Sequence, residues 1–411
     1  MSVYHDVLKR VERLVGLDLV YYIKNSAYMI TQNVFSALAA LALSVLLARV
    51  FPHEVYGQYN FVLSLLGIVS LFSLPGINIA LSASVAKGYE GSLLLGAKKK
   101  ILYSTSGSFL LFLLSLYYLS IGEYLLFLSL IITALIFPFF STFNIIFAYF
   151  IGKKRFDRYS FWTTLSAVIS SFITVIVGYI FRNLLIVIAV YLTSATLVNI
   201  YVFLNVMREV KRKKVDKGIV PYGKRLTLIT SLGTLRFYID KVIIASFLGF
   251  HELAIYSVAT AIPNQSKPLW SILSHITFPD LARKSFKDAC EAVRKRFVFI
   301  LLGAVGIILA GMVLLPPVIL FFYSTKYAES IFYFQLLMIS TIAGPSAVVN
   351  TILTSQGKIN RLYKAETIIN LVGIALIFVL TYLYGLLGTC IARIIASGFM
   401  PLLVRWWVVY R

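Results

Sequence analysis

Four basic residues lie inside strongly hydrophobic stretches of the sequence: Arg236, Lys241, Lys267 and Arg393. A charge at the centre of a bilayer costs about 2.5–3.5 kcal/mol on insertion scales, so each base needs a partner or a role. Arginine binds phosphate oxygens through two parallel hydrogen bonds, and lysine supplies a compact point charge. One interpretation is therefore that these bases line a water-filled cavity and bind an anion.

One acidic residue, Asp240, lies among these bases, four residues after Arg236 and therefore on the same helix face. The alternative interpretation is that Arg236 and Asp240 neutralise each other while the lysines extend towards water. Asp240 would then act as an ion-pair or coupling residue. This alternative leaves Lys267 and Arg393 without an acidic partner nearby in the sequence, so both interpretations stay open.

Several prolines interrupt the hydrophobic stretches, at Pro75–Gly76, Pro263, Pro268 and Pro345. Such breaks are tolerated in lipid where neighbouring helices or cavities satisfy the freed backbone groups. Polar side chains beside two of the breaks are candidates for hydrogen bonds to a sugar-like ligand. They are Asn78, Asn264 and Gln265.

The composition predicts that these residues are carried by membrane-spanning helices. The chain is 60% hydrophobic and 13% charged, whereas a soluble domain carries about 25% charged residues. Segments of about 20 apolar residues, enough to cross a bilayer, recur along the whole chain. We therefore predict an all-α integral membrane protein with about twelve transmembrane helices. The predicted spans are 26–50, 58–85, 101–120, 124–150, 159–181, 184–206, 224–248, 253–277, 297–322, 326–353, 362–384 and 386–409.

The net charge of +22 is distributed on one side of this topology. Of the 38 Lys and Arg residues, 31 fall in the N-terminal segment, in loops on the same side of the membrane or at the C-terminal end. Only Arg49, Arg182 and Lys326 fall on the opposite side, and the four bases inside helices complete the total. This asymmetry follows the positive-inside rule and predicts that both termini are cytoplasmic, in a multi-pass plasma-membrane protein. Arg49 is then expected at the outer face, as a gate or headgroup contact. The basic loops are expected to bind anionic lipid headgroups rather than nucleic acid.

Sequence landmarks recur about 200 residues apart and predict two lobes. His53–Glu54 corresponds to His251–Glu252, and Gly152–Tyr159 corresponds to Gly357–Tyr363. Because each repeat holds six helices, the two are parallel and enclose a central cavity, which suits alternating access. The predicted divisions are a basic N-terminal segment (1–25), an N-lobe (26–206), a basic linker (207–225) and a C-lobe (226–411).

Motifs of enzymes and metal proteins are absent from the sequence. Gly91–Lys99 departs from the phosphate-loop pattern, because an alanine separates Gly96 from Lys98. Neither His-Glu pair is followed by the second histidine of a zinc protease, and Cys290 and Cys390 form no metal motif. We expect no catalytic residue, no metal and no cofactor, with transport driven by an ion gradient, the membrane potential or the substrate gradient.

Four segments of the chain resemble a known family. They are RVFPHEVYGQYNFVLSLLGIVSLFSLPGINIALSASVAK (Arg49–Lys87), RFYIDKVIIASFLGFHELAIYSVATAI (Arg236–Ile262), FPDLARK (Phe278–Lys284) and YGLLGTCIA (Tyr384–Ala392). In order and spacing these segments resemble the polysaccharide-biosynthesis flippases, O-antigen-type members of the multidrug/oligosaccharidyl-lipid/polysaccharide exporter superfamily. The resemblance covers nearly the whole chain and places Asp240 on the seventh helix, but it does not itself assign Lys267 or Arg393.

The resemblance implies a twelve-helix, two-lobe flippase that moves a lipid-linked oligosaccharide from the cytoplasmic to the outer leaflet. The expected partners are that polyprenyl-phosphate- or pyrophosphate-linked glycan, anionic lipids and enzymes of glycan assembly, with the protein itself monomeric. The main alternative is a cation-coupled multidrug exporter of the same superfamily, whose cavity should carry unpaired carboxylates. A lipid II flippase would need about two more helices, and a membrane-embedded glycosyltransferase would need a large acidic outer loop.

Overall fold

The computed structural model describes residues 19–410 apart from 211–213, 267–269, 271–273, 275–276, 278–280, 282–283 and 357. Within these residues the regular structure is entirely helical, which confirms the predicted all-α class. We call the side on which the first helix begins the near face and the opposite side the far face.

The first half of the chain forms six successive membrane passages. They are α1 (Leu19–Val50), α2a (His53–Val69) with α2b (Gly76–Ala86), α3 (Ser92–Ser120), α4a (Tyr124–Phe143) with α4b (Ile145–Gly152), α5 (Phe156–Phe181) and α6 (Leu184–Glu209). The predicted turn between the third and fourth spans is confirmed, since α3 ends at Ser120 and Gly122 takes a φ of 83° that suits glycine. The helix preceding this turn begins at Ser92, nine residues before the predicted start at 101, which shortens the loop ahead of it.

The second half repeats the plan. Its helices are α7 (Ile219–Phe247), α8 (Phe250–Ala261), α9 (Phe286–Tyr323), α10a (Ser330–Ile339) with α10b (Ser346–Ser355), and the helix Ile359–Arg393. This last helix bends at Gly385, where φ is 60° and ψ is −142°; α11 precedes the bend and α12 follows it. Beyond Arg393, α12 continues through a π-helical segment, Ile394–Phe399, into Met400–Tyr410.

Nine helical segments in the described part of the chain are long and apolar enough to cross a membrane. One of them, Asn360–Tyr410, has 51 residues and contains both α11 and α12. The helix α7 carries several charges and α8 has only 12 residues, so neither is among the nine. With these allowances the arrangement agrees with the predicted twelve passages.

Three of the predicted proline breaks are confirmed as helix interruptions. Residues 70–73 form a 3₁₀ turn before Pro75, residues 263–265 form another after α8, and residues 340–343 form a third before Pro345. Proline removes a backbone donor and clashes with the preceding turn, so the α-helix cannot run through these points unchanged. Pro268 lies outside the described residues.

Apolar packing differs between the two faces. On the far side, one core joins both halves of the chain, combining Leu47 and Tyr56 with Ile255 and Ile319. On the near side, the core around Ile77, Ile145 and Phe203 is separate from the core around Val293, Ile352 and Val409. One apolar core therefore spans both halves at the far face, whereas the near face has two separate cores, and the halves meet there where Ile219 of α7 packs against Ile77 of α2b.

Helix α2 forms the seam between the halves by packing along α7 and α8. A Cβ at Gly57 would collide with the backbone of Phe250, and one at Gly76 would collide with the backbone of Gly223. Small residues at these positions let the two backbones approach closely, as in other membrane helix pairs. The backbone N–H of Gly76 also donates to Thr227 Oγ1 at 3.0 Å, which ties α2b to α7.

Candidate functional site

A hydrogen-bonded network centred on Asp240 lies in the middle of the second half; we call Asp240, Tyr256, Asn264 and Arg393 the Asp240 network. Arg393 Nη1 lies 3.2 Å from Asp240 Oδ2 and donates to Tyr256 Oη at 3.0 Å. Tyr256 in turn donates to Asp240 Oδ2 at 2.6 Å, and Arg393 Nη2 donates to Asn264 Oδ1. The Arg393 side chain is 11% exposed, so this ion pair is largely shielded from solvent.

Three elements build this network. Helix α7 supplies Asp240, α8 supplies Tyr256, and α12 supplies Arg393 at the residue before its π-helical segment. The 3₁₀ turn that follows α8 at Pro263 supplies Asn264. Helix interruptions thus place two of the four groups, which is a common use of irregular backbone at membrane depth.

The i, i+4 pairing of Arg236 with Asp240 is not the ion pair that forms. Arg236 instead donates from Nη1 to the carbonyl oxygen of Ala396 at 2.7 Å. Ala396 lies in the π-helical segment, whose wider hydrogen-bond spacing alters the normal carbonyl pattern of the helix. Only the folded chain brings α12 against α7, and this contact decides which base the carboxylate neutralises.

Two described bases of α7 have no carboxylate partner. Arg236 contacts a backbone carbonyl, and the Lys241 ammonium has no hydrogen-bond partner among the described residues. The ion pairs of this region are Arg393 with Asp240 at 3.2 Å and Arg405 with Glu366 at 2.7 Å. The described middle of the second half therefore holds two more bases than acids. Lys267 lies outside the described residues.

The remaining sequence-predicted polar residues lie in two separate places. Asn264 joins the Asp240 network, and Gln265 follows it in the same 3₁₀ turn. Asn78 lies in the first half, where its Oδ1 accepts from Lys100 Nζ at 3.0 Å. The structure therefore brings Asn264 to Arg393 but does not bring Asn78 to this network.

Lys100 is a deep base that sequence reasoning missed, because it was assigned to the loop before the span 101–120. It is 1% exposed within α3, and its ammonium donates to the amide oxygens of Asn78 and Asn144, each at 3.0 Å. A signal for its burial was present. Gly96, Lys100, Ser104 and Gly107 follow each other at helical spacing, and stripes of small residues mark packed membrane helix faces.

Reciprocal helix caps close the far face. Arg49, near the end of α1, donates to the carbonyl oxygens of Phe321 and Phe322, in the last turn of α9. Lys326, just after α9, donates to Phe51 O at 2.5 Å and to Ala48 O at 3.5 Å, at the end of α1. Helix C-termini carry unsatisfied carbonyls and partial negative charge, so each half supplies the cation that caps the other.

Aromatic and hydroxyl groups extend this closure towards the middle of the protein. Ser44 Oγ lies 2.7 Å from Tyr56 Oη and 2.9 Å from Tyr323 Oη, and so connects α1 to α2a and α9. The rings of His53 and His251, which correspond in the sequence repeat, meet edge to face at 4.6 Å. Repeat-related residues therefore contact each other at the far face, as expected near a pseudo-twofold axis along the membrane normal.

The sequence matches one protein-family model. The model described as "Polysaccharide biosynthesis protein" matches residues 22–283, which is more than half of the chain. No curated protein matches the chain.

Solved structures share the fold at low sequence identity. The lipid II flippase MurJ in an inward closed conformation matches with a TM-score of 0.66 and 17% identity, over 95% of this chain and 88% of that one. A transporter of the MOP superfamily from Pyrococcus furiosus, whose description reports a reversed polarity of the binding pocket, matches with a TM-score of 0.65 and 12% identity, over 94% of both chains. An inward-facing multidrug resistance MATE transporter matches with a TM-score of 0.64 and 13% identity, over 91% of this chain and 93% of that one. The chain therefore has the MOP-superfamily fold.

Proposed function

The chain belongs to the polysaccharide biosynthesis protein family, and from this premise we propose that it is a flippase for a lipid-linked oligosaccharide. Its substrate is a polyprenyl phosphate or pyrophosphate that bears a glycan. Transport runs from the cytoplasmic to the outer leaflet of the plasma membrane by alternating access, with the near face as the cytoplasmic one. The far face has one core across both halves and the near face has two separate cores, and this difference supports an arrangement that loads from the near side.

The observation that carries the proposal is the surplus of positive charge on α7. Asp240 is already bound by Arg393 and Tyr256, whereas Arg236 and Lys241 have no carboxylate partner among the described residues. A cationic drug would meet two bases that form no ion pair with a described residue, whereas a phosphate group could accept hydrogen bonds from them. The charge pattern therefore favours an anionic substrate over the cationic substrates of a multidrug exporter.

Within this proposal the Asp240 network has a different role from Arg236 and Lys241, the two bases of α7 without a carboxylate partner among the described residues. Arg393 would have to leave Asp240 before it could offer all its donors to an anion. Because this ion pair is formed in the present conformation, we assign Asp240 and Arg393 to coupling rather than to resting-state binding. Arg236, Lys241 and, outside the described residues, Lys267 are the proposed first contacts of the phosphate.

The test is transport by purified protein in proteoliposomes loaded with a short polyprenyl-pyrophosphate-linked sugar. Arrival of the glycan in the opposite leaflet is measured with a membrane-impermeant lectin or oxidant, against protein-free vesicles. We expect the variants Arg236→Gln and Lys241→Gln each to lower the initial rate about tenfold or more, since each removes a charge-assisted contact. The matched control is Arg225→Gln, which removes an exposed base from the same helix and should leave the rate unchanged.

Two results would contradict the proposal. Wild-type rates in both variants would show that Arg236 and Lys241 do not contact the substrate. Absence of glycan movement under every ion gradient, together with export of a cationic dye, would instead establish the multidrug exporter.

A further inference from the structure

A cavity of about 600 Å³ lies between α7 and α11, on the near side of the Asp240 network. Its α11 wall includes Glu366 and Asn370, about 10 and 16 Å along the helix from its near end at 1.5 Å per residue. The first half contributes Ser70, from the 3₁₀ turn that interrupts α2. The volume falls within the range of about 300–1,000 Å³ that is typical of small-molecule pockets. We call this space the α7–α11 cavity.

Glu366 presents one fixed and one free carboxylate oxygen. Its Oε1 accepts from Arg405 Nε at 3.0 Å, from Arg405 Nη2 at 2.7 Å and from Asn350 Nδ2 at 3.4 Å. Arg405 is itself held by Ser346 Oγ at 2.6 Å from Nη1. No described residue donates to Oε2, so the pinned carboxylate keeps an acceptor for a ligand in the cavity it lines.

The serine and threonine hydroxyls of the cavity are also arranged as acceptors. Thr230 donates to Leu226 O at 3.1 Å, Thr234 donates to Thr230 O at 3.2 Å, and Ser70 donates to Gly67 O at 2.6 Å. Each hydroxyl thus donates its hydrogen bond to a backbone carbonyl of its own helical segment and keeps lone pairs that can accept from a ligand. A ligand that brings several O–H or N–H donors matches this lining.

An amide and aromatic rings complete the cavity. Asn370 is 6% exposed, and its side-chain amide has no hydrogen-bond partner among the described residues. A Cβ at Gly233 would lie 3.7 Å from Asn370 Nδ2, so the glycine leaves that amide uncovered. The rings of Phe237 and Tyr238, which meet edge to face at 4.9 Å, line the α7 side, and Tyr363 lines the α11 side.

The cavity therefore suits a different ligand group from the one that suits Arg236 and Lys241. A phosphate needs donors and would be repelled by Glu366, whereas the hydroxyls of a neutral sugar can donate to the acceptors and accept from Asn370. Lys241 continues the stripe formed by Thr234 and Tyr238 at helical spacing, about 10 Å beyond Thr234. A phosphate near Lys241 would therefore place an attached sugar towards the near face.

We propose that the α7–α11 cavity binds a neutral, hydroxyl-rich sugar unit of the glycan through Glu366, Asn370 and Thr234. The inference rests on the flippase function proposed above and assigns it a glycan subsite distinct from the phosphate contacts. It makes substrate selection a property of α7 and α11, because their side chains meet the sugar.

The test measures binding of three fluorescent short-chain probes to the full chain in nanodiscs. The probes are a polyprenyl pyrophosphate bearing a hexose, the same lipid bearing an N-acetylhexosamine, and the lipid without a sugar. We expect Asn370→Leu and Thr234→Val each to weaken binding of at least one sugar-bearing probe about three- to tenfold, the effect of one lost hydrogen bond. Binding of the sugar-free lipid should not change, which also shows that the variants are folded. Asn360→Leu, an exposed position on the same helix, is the matched control.

The outcomes separate the two proposals. If the cavity variants bind all three probes as the wild type does, the glycan subsite is wrong while the flippase proposal stands. If the wild type binds none of the polyprenyl probes, the flippase proposal fails and the subsite fails with it. Loss of sugar-free lipid binding in Lys241→Gln, but not in Asn370→Leu, would support both.

Discussion

The far and near faces of this protein hold its two halves by different means. At the far face, the halves share one apolar core and exchange helix caps through Arg49 and Lys326. At the near face the apolar cores are separate, and the halves meet where α2b packs along α7, with the bond from Gly76 to Thr227 among their contacts. Hydrogen bonds that face solvent can be exchanged for hydrogen bonds to water, so the part of the far-face contact that they form can open and close reversibly. We infer that the far face is the closed gate of this conformation.

Removal of both reciprocal caps should have the largest effect on the closure of the far face. In the double variant Arg49→Gln/Lys326→Gln, the α1 and α9 termini each lose two capping hydrogen bonds, worth about 0.5–1.5 kcal/mol apiece. Because both sites are partly solvated, we expect about 3 kcal/mol in total, a shift of about a hundredfold towards far-open states.

The measurement is the electron–electron distance between spin labels at Ile121 and Phe332, exposed positions at the far ends of the two halves. A longer distance distribution is expected. Lys295→Gln, which breaks an exposed i, i+4 pair with Glu291, serves as the control and should leave the distribution as it is. An unchanged distribution in the double variant would show that apolar packing alone closes the far face.

Loss of the Ser44 hydroxyl should have a smaller effect. Ser44→Ala removes the group that lies between Tyr56 and Tyr323 and leaves both phenols without that partner. We expect a loss of about 1–2 kcal/mol in the free energy of unfolding. Thermal unfolding in detergent should show it as a lower midpoint than that of Ser106→Ala, whose hydroxyl bonds only to its own helix. Equal midpoints for the two variants would show that the Ser44 hydroxyl does not stabilise the far face.

A change in pH should produce the smallest effect, through Lys326, which lies between α9 and α10a. Burial lowers the pKa of Lys326 from its usual value of 10.5. The far-closed state therefore binds fewer protons at this site than a far-open state in which the ammonium returns to water. Raising the pH towards 10.5 should then favour closure, because the linkage slope follows the difference in bound protons. The neutral amine can still donate to Phe51 O and Ala48 O, so deprotonation does not remove the cap.

The same label pair reports this dependence as a shift towards shorter distances at higher pH. Lys326→Gln should abolish the shift. A shift towards longer distances would mean that the charged form holds the gate and that its burial is not the dominant cost.

Much of the fold could be predicted because a bilayer imposes simple rules on the sequence. The lengths of the apolar segments predicted the membrane-spanning helices, and the prolines predicted the helix interruptions at residues 70–73 and 340–343. The repeat of His53–Glu54 and His251–Glu252 indicated two related halves. The family resemblance agreed with the match to residues 22–283. The starts of α3 and α9 were the main errors, since these helices begin nine and eleven residues before the predicted positions 101 and 297. In both cases basic residues in the first turns appeared to belong to a loop.

The candidate site could be predicted only in part. Arg236, Asp240, Lys241 and Arg393 were identified as deep charges because membrane insertion makes any such charge costly. Their partners were not predictable, since Arg393 follows Asp240 by 153 residues and no local spacing connects them. Lys100 was missed for a related reason. Its acceptors, Asn78 and Asn144, come from two other helices.

The sequence by itself determined that the chain is a bundle of membrane helices in two related halves, and that basic residues lie at membrane depth. Hydropathy and helical periodicity act within one segment, so they can be read along the chain. The tertiary structure decided that Asp240 binds Arg393, that Arg236 turns to Ala396, and that Glu366 and Asn370 face a common cavity. These pairings depend on how α7, α8, α11 and α12 pack, and side-chain partners across helices are set by that packing rather than by local sequence.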